Sequence, residues 1–322
     1  MENIFISQIK DKLKPIYRGF SALTNFLYHF LRFWKYSGIR KRTHEEIEYN
    51  IMATSHTLEK SMGMKNQKIK SGWNNAILLQ KALSSKVFIN SSSPSHKIGT
   101  SILEKFVDHK KNNGGCQQIP EIQKSDREFY DNSGAFKYNY KFNSFEDFLS
   151  AENFFMTRYS HRSFLDSKIN RSTLERIITL ASKTPSVCNR QEWFTYIIQD
   201  ESLIKEALSH QAGNRGFGNE IKNLMIICTD LSAFIPGQEA YQQWIDGGMF
   251  SMSIIYAIHS IGLVSCCLNW SVNPKTDLKL RDKLKIKNNH SVIMMLAFGE
   301  PELNALVCHS KRKPIESFYK IL

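Results

Sequence analysis

The sequence contains few cysteines, and none of them is spaced like a metal ligand. Its six cysteines form no Cys-x-x-Cys pair and show no Cys/His ligand spacing, so we expect no metal site. Cys266 and Cys267 are adjacent, and because a disulfide between neighbours is strained, we expect free thiols, which are typical of a reducing compartment. The first residues also lack the charged segment, apolar run and cleavage site of a secretory leader. We therefore expect a cytoplasmic protein.

Long apolar runs are missing as well. No uninterrupted run reaches the roughly 18 residues that a membrane helix needs. The nearest candidate, residues 20–34, is short and contains Thr24, Asn25, His29 and Arg32. We expect no membrane span, but this segment leaves open a peripheral contact with the inner face of a membrane.

Acidic residues are fewer than basic ones, and the excess is uneven. The chain has 43 Lys and Arg against 30 Asp and Glu, a formal charge of +13. Residues 1–150 hold 23 basic and 14 acidic residues, or +9, which leaves 20 and 16, or +4, for the remainder. The sequence shows no internal repeat and no nucleic-acid-recognition signature, so we expect no nucleic-acid partner. A solvated basic surface and an anionic small-molecule partner both stay open.

Hydrophobic periodicity divides the chain into two regions. Residues 1–83 show helical spacing, a short helical pattern surrounds 102–107, and residues 110–115 look like a loop. We predict a mainly helical region at 1–143, with a polar loop or linker at about 110–143, and a second domain at 144–322. In the second domain, Ser144 and Ser172 are predicted helix caps.

The second domain is predicted to be α+β. Short apolar runs at 195–199, 224–228 and 291–298 are typical of strands, and residues 247–261 form a long apolar helical pattern. Strands separated by helices favour a sheet covered by helices.

Two polar clusters in this domain suit a bound anion and a heterocycle. Arg158-Tyr-Ser-His-Arg-Ser-Phe164 offers guanidiniums and hydroxyls, which bind phosphate well. Thr184-Pro-Ser-Val-Cys-Asn-Arg-Gln-Glu-Trp193 offers two amide side chains that can hydrogen-bond the edge of a heterocycle. Taken singly, each could equally be a solvated loop or an ordinary turn.

Three further clusters follow in order. Ala212-Gly-Asn214 precedes a strand, Gly262-Leu-Val-Ser-Cys-Cys-Leu-Asn-Trp270 follows the long helix, and Ser310-Lys-Arg-Lys-Pro314 lies near the end of the chain. In this order and spacing, the five clusters resemble the nitroreductase family across the last half of the chain. Val264 departs from the pattern, since the family often has a second glycine there.

The resemblance implies an FMN-binding fold, with a mixed or antiparallel sheet flanked by helices, and a role for each matched residue. Arg158, Ser160 and Arg312 would hold the FMN phosphate, with Lys311 assisting. Arg162 would lie near flavin N1 and O2, where its charge stabilises the reduced ring. In the rest of the implied cofactor site, Asn214 would lie at the pyrimidine edge and the N–H groups of Leu268 and Asn269 at flavin N5. Pro185, Ser186 and Asn189 would come from the other subunit of a homodimer. Tyr159 and Gln191 complete the implied site.

One pattern in the helical region could also carry chemistry. His56, Glu59 and Lys60 lie on one face of a predicted helix. The surrounding segment resembles nitroreductase-like proteins of bacterial surface-polysaccharide gene clusters. His56 is a candidate catalytic residue, against the alternative of a structural surface pair.

The resulting hypothesis is a cytoplasmic flavoenzyme in which NAD(P)H reduces FMN and a second small molecule then takes the electrons in ping-pong fashion. A link to surface-polysaccharide biosynthesis follows from the N-terminal resemblance. Two alternatives stay open: a flavin-fragmenting or reductively dehalogenating enzyme of the same fold, and a basic membrane- or partner-binding module with a vestigial flavin site.

Overall fold

The described residues of the N-terminal part of the protein form five helices. The computed structural model describes residues 2–38, 43–64, 71–85, 93–115, 119, 123–135, 145–308, 310 and 312–322. Its first helices are α1 (Glu2–Tyr36), α2 (His44–Gly63), α3 (Trp73–Leu83), α4 (Pro94–Asn112) and α5 (Arg127–Asp131). The helical character predicted for residues 1–83 is confirmed for the residues that the structure describes in this range. Much of the predicted linker, together with Ser144 and Lys311, lies outside the described residues.

The prediction for residues 102–115 was wrong in extent. A cap at Ser93, followed by Pro94 in the first turn, begins α4 eight residues earlier than the pattern suggested. The helix continues past Lys110 because that side chain is buried, with its ammonium 5.3 Å from the centre of the Phe106 ring. It ends before Gly114, which has φ 78°.

Helices α2, α3 and α4 enclose a core of their own. Ile51, Leu58, Leu79 and Phe106 are fully buried there. The backbones of α2 and α4 approach closely at Gly99, where a Cβ atom would lie 2.6 Å from Ile51 Cγ2. A side chain at position 99 would therefore push the two helices apart.

The second part of the chain is an α+β unit, as predicted. Its helices are α6 (Phe145–Met156), α7 (Arg171–Ala181), α8 (Glu201–Ser209), α9 (Gln242–Ser260) and α10 (Pro274–Leu284). Its described strands are β1 (Trp193–Ile198), β2 (Leu224–Asp230), β3 (Val264–Asn269) and β4 (His290–Gly299), in the spatial order β1-β2-β4-β3. All three pairings are antiparallel.

Two details of this unit differ from the prediction. Helix α7 begins after Asn170, whose side chain accepts a hydrogen bond from the Thr173 N–H at 2.9 Å, so Asn170 rather than Ser172 is the cap. Helix α9 begins at Gln242, five residues before the apolar pattern does, because its first turn carries polar side chains.

The sheet has apolar cores on both faces. Leu224 and Ile226 of β2 join a core with α8 and α10, while Met225 and Ile227 point to the opposite face and pack with α7 and α9. Every residue of β2 is buried. This two-sided burial explains why β2 and β4 appear in the sequence as continuous apolar runs.

A buried polar cluster ties α1 to α10. Asp277 accepts hydrogen bonds from Arg281 Nε at 2.6 Å and from Trp270 Nε1 at 2.8 Å, and also from the Tyr28 hydroxyl of α1. Arg281 and Arg32 both donate to the carbonyl of His290. The described side chains of α1 that take part, Tyr28 and Arg32, lie in the last third of the helix. No helix in the described ranges has the length and apolar content of a membrane span.

Removing the Asp277 carboxylate from this cluster should destabilise the folded chain. Asp277→Ala leaves Arg281, which is 5% exposed, as an unpaired buried charge, so we expect a loss of about 3–5 kcal/mol in the free energy of unfolding. Tyr28→Phe keeps that pair and should lose about 1.5–3 kcal/mol. Urea unfolding measures both, and Lys279→Ala, on the exposed side of α10, is the control. Equal stability of the Asp277 and Lys279 variants would contradict the role of the cluster.

Candidate functional site

The first predicted cluster lies along the free edge of β3. Ser160 forms a parallel bridge with Ser265, and the His161 N–H donates to the Ser265 carbonyl at 3.0 Å. This short pairing fixes Arg158 and Arg162 beside the strand, and Tyr159 between Arg158 and Ser160 is half-buried. The structure thus brings the first and fourth sequence clusters together, as expected for a shared site.

The arginines of this edge and of the C-terminal segment have no acidic partners among the described residues. Among the described residues, no Asp or Glu lies within ion-pair distance of Arg158, Arg162 or Arg312. Arg162 Nη1 lies 3.9 Å from Cys308 Sγ, so the C-terminal segment reaches the same edge. Arg312 donates to the Ser310 carbonyl at 2.9 Å, and its neighbour Lys311 is outside the described residues. Uncompensated guanidiniums of this kind suit an anion.

The thiols of β3 report how close these charges are. Burial raises the pKa of the Cys266 thiol, and the positive charge of Arg162 opposes that rise. Burial likewise raises the pKa of Cys267, and Arg158 opposes it. The positive charges of the two guanidiniums therefore act on successive residues of the strand.

Gln211 connects two predicted site elements, although the sequence pattern did not single it out. Gln211 is buried, and its Nε2 donates to the Asn269 carbonyl at 3.1 Å. Its Oε1 accepts from the Gly213 N–H at 2.6 Å and from Asn214 Nδ2 at 3.2 Å. Asn214 Nδ2 also donates to the carbonyls of Gln211 and Leu208, which leaves its Oδ1 as the atom able to accept from a ligand. Asn214, Leu268 and Asn269 therefore belong to one neighbourhood.

The second predicted cluster forms a strained loop, the 186–191 loop. Cys188, Asn189 and Gln191 have φ values of 51°, 52° and 56°, which residues other than glycine seldom adopt. The loop is closed by a hydrogen bond from the Gln191 N–H to Ser186 Oγ at 2.9 Å. Pro185, just before it, is exposed. Backbone strain of this kind persists where surrounding structure enforces it, and it is common at functional sites.

A buried pair of carboxyl groups lies beneath this loop. Asp246 is fully buried and accepts from the Val187 N–H at 2.9 Å and from Gln242 Nε2 at 2.7 Å. Neither oxygen of Glu192 meets a donor among the described residues, and its polar neighbour is Asp246. Burial, together with Asp246, raises the pKa of Glu192 to about 9, so Glu192 is protonated at neutral pH and donates to Asp246. Nothing in the sequence pattern distinguishes Glu192 from a surface glutamate.

The two halves of the predicted cofactor site do not meet within one chain. The arginine edge borders β3, whereas the 186–191 loop leads into β1 at the opposite edge, with β2 and β4 between them. The two halves also lie at different heights along the strands. Ser265 pairs with Phe298, which lies beyond the level of the last residue of β1, whereas the loop enters β1 at its first residue, Trp193. Three inter-strand spacings across the sheet, combined with about five residues along the strands, correspond to a separation of roughly 20 Å between the loop and the arginine edge.

The N-terminal helices approach the loop instead. His56 and Glu59 of α2 line a cavity together with Asn189 and Gln191. Lys60, predicted on the same helix face, is exposed and does not line this cavity. The structure therefore groups the predicted residue His56 with the 186–191 loop and not with the arginines. In the described ranges, no group of His, Cys, Asp and Glu could hold a metal ion.

Part of the chain is similar to known proteins of the nitroreductase family. Residues 155–225 match the model of the nitroreductase family. A curated protein of Archaeoglobus fulgidus, named as an NADH dehydrogenase/NAD(P)H nitroreductase, is 26% identical over 152 residues, which are 45% of this chain and 82% of that protein. Among solved structures, an FMN-dependent nitroreductase of Clostridium difficile R20291 matches with a TM-score of 0.42 and 20% identity over 49% of this chain and 91% of its own. A nitroreductase of Desulfovibrio desulfuricans, solved in complex with FMN, matches with a TM-score of 0.46 and 16% identity over 53% of this chain and 96% of its own.

The buried carboxyl pair yields a pH prediction. The pKa of Glu192 is about 9 in the folded chain, against an ordinary value of 4.5, so between these values the folded state holds the extra proton. Its contribution to stability is therefore complete below about pH 4.5 and is lost as the pH rises toward 9, by up to about 1.4 kcal/mol per pH unit. Glu192→Gln should remove this loss.

Urea unfolding across that pH range tests the prediction. The free energy of unfolding of Glu192→Gln should increase relative to that of the wild type as the pH rises. The control Glu175→Gln, on the surface of α7, should show the same pH dependence of stability as the wild type. Parallel curves for Glu192→Gln and the wild type would show that Glu192 is not protonated in the folded chain.

Proposed function

We propose that this chain, whose residues 155–225 belong to the nitroreductase family, is an FMN-dependent oxidoreductase that takes electrons from NAD(P)H. The observation that carries the proposal is the β3 edge, where Ser160 pairs with Ser265 and where Arg158 and Arg162 have no acidic partner among the described residues. Gln211 connects Asn269, at the other end of this strand, to Asn214. The relatives' names, which mention FMN and NAD(P)H, support the same choice.

The residues at this edge fit a flavin nucleotide. Arg158, Arg312 and the Ser160 hydroxyl can bind its phosphate, and Asn214 Oδ1 is available to accept from a ring N–H. Strand β3 is an edge strand, so alternate N–H groups near Leu268 and Asn269 point away from β4. Arg162 places a fixed positive charge beside the strand, where it would stabilise negative charge on a reduced ring.

When bound, FMN would supply hydride acceptance from NAD(P)H and electron transfer to a second substrate. The chain's own contribution would be binding, orientation and electrostatics. We propose a ping-pong order, because one edge that holds the flavin can serve two substrates in turn. A basic binding module with a vestigial site is disfavoured, since such a module has no need for the complete set of unpaired arginines.

We further propose that the site is completed by a second copy of the chain. One chain holds the 186–191 loop roughly 20 Å from the arginine edge, so the loop could serve only a neighbouring subunit's flavin. Apolar side chains exposed in the single chain support a large interface of the obligate type. They lie on α6, on α9 and in the C-terminal segment, and include Phe155, Met156, Ile245, Met249, Phe318, Ile321 and Leu322.

Flavin affinity tests the phosphate assignment. Arg158→Ala and Arg312→Ala each remove a charged hydrogen bond, so each should cost about 1.5–3 kcal/mol, a roughly ten- to hundredfold rise in Kd for FMN. Quenching of flavin fluorescence on titration into apo-protein measures the Kd. Arg171→Ala, on exposed α7 with Glu175 as its partner, is the matched control. An unchanged Kd in both site variants would refute the assignment.

Subunit mixing tests the shared site. Arg158→Ala disables the phosphate site of its own chain, and Asn189→Val, with a β-branched residue at φ 52°, disables the loop that would serve the partner. At an FMN concentration well below the raised Kd of the Arg158→Ala variant, each variant alone should be inactive as a homodimer. Unfolding and refolding an equal mixture should restore about a quarter of wild-type activity, because half of the dimers are mixed and each has one intact site. No recovery would mean that each chain builds its site alone.

A further inference from the structure

The first helix presents a row of apolar side chains to solvent, the α1 stripe. Ten large apolar side chains between residues 13 and 34 are each 41% to 73% exposed. They are Leu13, Ile16, Tyr17, Phe20, Leu23, Phe26, Leu27, Phe30, Leu31 and Trp34. With about half of the roughly 150–250 Å² of a large side chain exposed at each position, the stripe amounts to on the order of 1,000 Å². Monomeric proteins seldom expose more than a few hundred Å² in one apolar patch, so an area of this size marks a binding surface.

The α1 stripe follows one side of the helix. Its members at positions 13, 16, 20, 23, 27, 30 and 34 recur three and four residues apart, which is the spacing of a single helix face. Tyr17, Phe26 and Leu31 widen this row, so the apolar arc covers about half of the helix circumference. The rings of Phe26, Phe30 and Trp34 follow one another along the arc, with centroids 6.5 and 6.3 Å apart. An arc of this width exceeds the narrow seam of two paired helices.

The protein holds α1 mainly by polar side chains. Tyr28 donates to Asp277, and Arg32 donates to the His290 carbonyl at 2.9 Å. Phe33 is the apolar side chain that is buried on this docked side. A surface helix ordinarily packs its apolar face on the protein and turns its polar face to water. In α1 this arrangement is reversed, and the polar contacts fix the apolar stripe on the outside.

The same stretch of helix is positively charged. Residues 13–36 contain Lys14, Arg18, Arg32 and Lys35 and no Asp or Glu. Lys14, Arg18 and Lys35 are exposed, and none of the three forms an ion pair within the part of the chain that the structure describes. A surface that covers the stripe therefore also meets uncompensated cations.

Charge complementarity decides between two surfaces that could cover the stripe. A second copy of the chain would bring a further formal charge of +13 and another acid-free helix toward the first. The surface of an anionic bilayer instead attracts the cations and accepts the apolar side chains at the boundary between head groups and acyl chains. Tyr17 and Trp34 are residue types that are enriched at this boundary. The charge and the composition of the helix both favour the bilayer.

We propose that α1 binds the surface of a membrane that contains anionic lipid, with the α1 stripe inserted into the head-group boundary. The helix lies in the plane of the bilayer, because its docked side is held to α10 by the Tyr28 and Arg32 contacts. An interfacial helix sinks only about 5–10 Å, so cations outside the apolar arc stay at the level of the lipid phosphates. Lys14 and Arg18 bind these phosphates through their long side chains. This membrane contact goes beyond the proposed flavin chemistry and does not depend on it.

Co-sedimentation of the full chain with lipid vesicles tests the proposal. Vesicles of phosphatidylcholine with about one third phosphatidylglycerol should bind the chain at least tenfold more tightly than vesicles of phosphatidylcholine alone. The reason is that each cation near an anionic surface contributes about fivefold in affinity. Binding to the anionic vesicles should also weaken as the salt concentration rises.

Removing apolar side chains from the middle of the stripe tests the inserted face. Leu23→Gln and Phe30→Gln, made together, should weaken binding to the anionic vesicles at least tenfold. The two side chains are 53% and 49% exposed, so the fold should persist, which urea unfolding checks. Leu180→Gln and Leu278→Gln, made together at positions 43% and 53% exposed on α7 and α10, are the matched control and should bind as the wild type does.

Removing cations tests the electrostatic part of the contact. Lys14→Gln and Arg18→Gln, made together, should weaken binding to the anionic vesicles at least tenfold and leave the weak binding to phosphatidylcholine unchanged. Lys279→Gln and Lys283→Gln, which remove two exposed cations from α10, are the control and should change neither affinity.

Light scattering without lipid identifies the other occupant. The Leu23 and Phe30 double variant should have the same mass as the wild type. A lower mass, together with a wild type that does not bind vesicles, would show that the stripe is an interface between copies and would overturn the proposal. Equal binding of the wild type and this variant to anionic vesicles would overturn it as well, and so would equal binding of the wild type to both kinds of vesicle.

Discussion

The pairing of β3 with β4 is the constraint on which the candidate site depends. Strand β4 is buried between β2 and β3, so β3 has one satisfied edge and one free edge. Ser160 uses the first part of that free edge through its bridge to Ser265, and this fixes the guanidiniums on either side. The remainder of the edge, toward Asn269, is tied to the Gly213 turn by Gln211. A shift of β3 by one residue would turn its side chains to the other face and separate these elements.

The sequence allowed much of this arrangement to be predicted, for identifiable reasons. Strand β2 and helix α9 carry apolar patterns long enough to be recognised, and Arg158, Ser160 and Arg162 are close together in sequence. The cap at Asn170 was missed because a local hydrogen bond, rather than apolar spacing, fixes that boundary. The start of α9 was missed because its first two residues, Gln242 and Gln243, are polar. Gln211 and Glu192 were missed because their significance comes from burial and distant partners, which single-sequence patterns do not contain.

The 186–191 loop joins the two parts of the chain. The Asp246 carboxylate accepts a hydrogen bond from the Val187 N–H of the loop. Helix α2 lies on another side of the loop, where His56 and Glu59 line a cavity together with Asn189 and Gln191. Its three left-handed residues are therefore held by groups from α9 and from the N-terminal helices.

The docking of α1 has a consequence for biosynthesis. Tyr28 finds its partner Asp277 at a separation of 249 residues, so the helix leaves the ribosome long before α10 exists. Until then its apolar side chains, among them Leu23, Phe26 and Phe30, have no native surface to cover, and even in the finished chain they stay largely exposed. Chaperone contact during translation would follow, since a nascent amphipathic helix without a partner is prone to aggregation. The docking of α1 onto α10 must therefore wait until the C-terminal half of the chain has been synthesised.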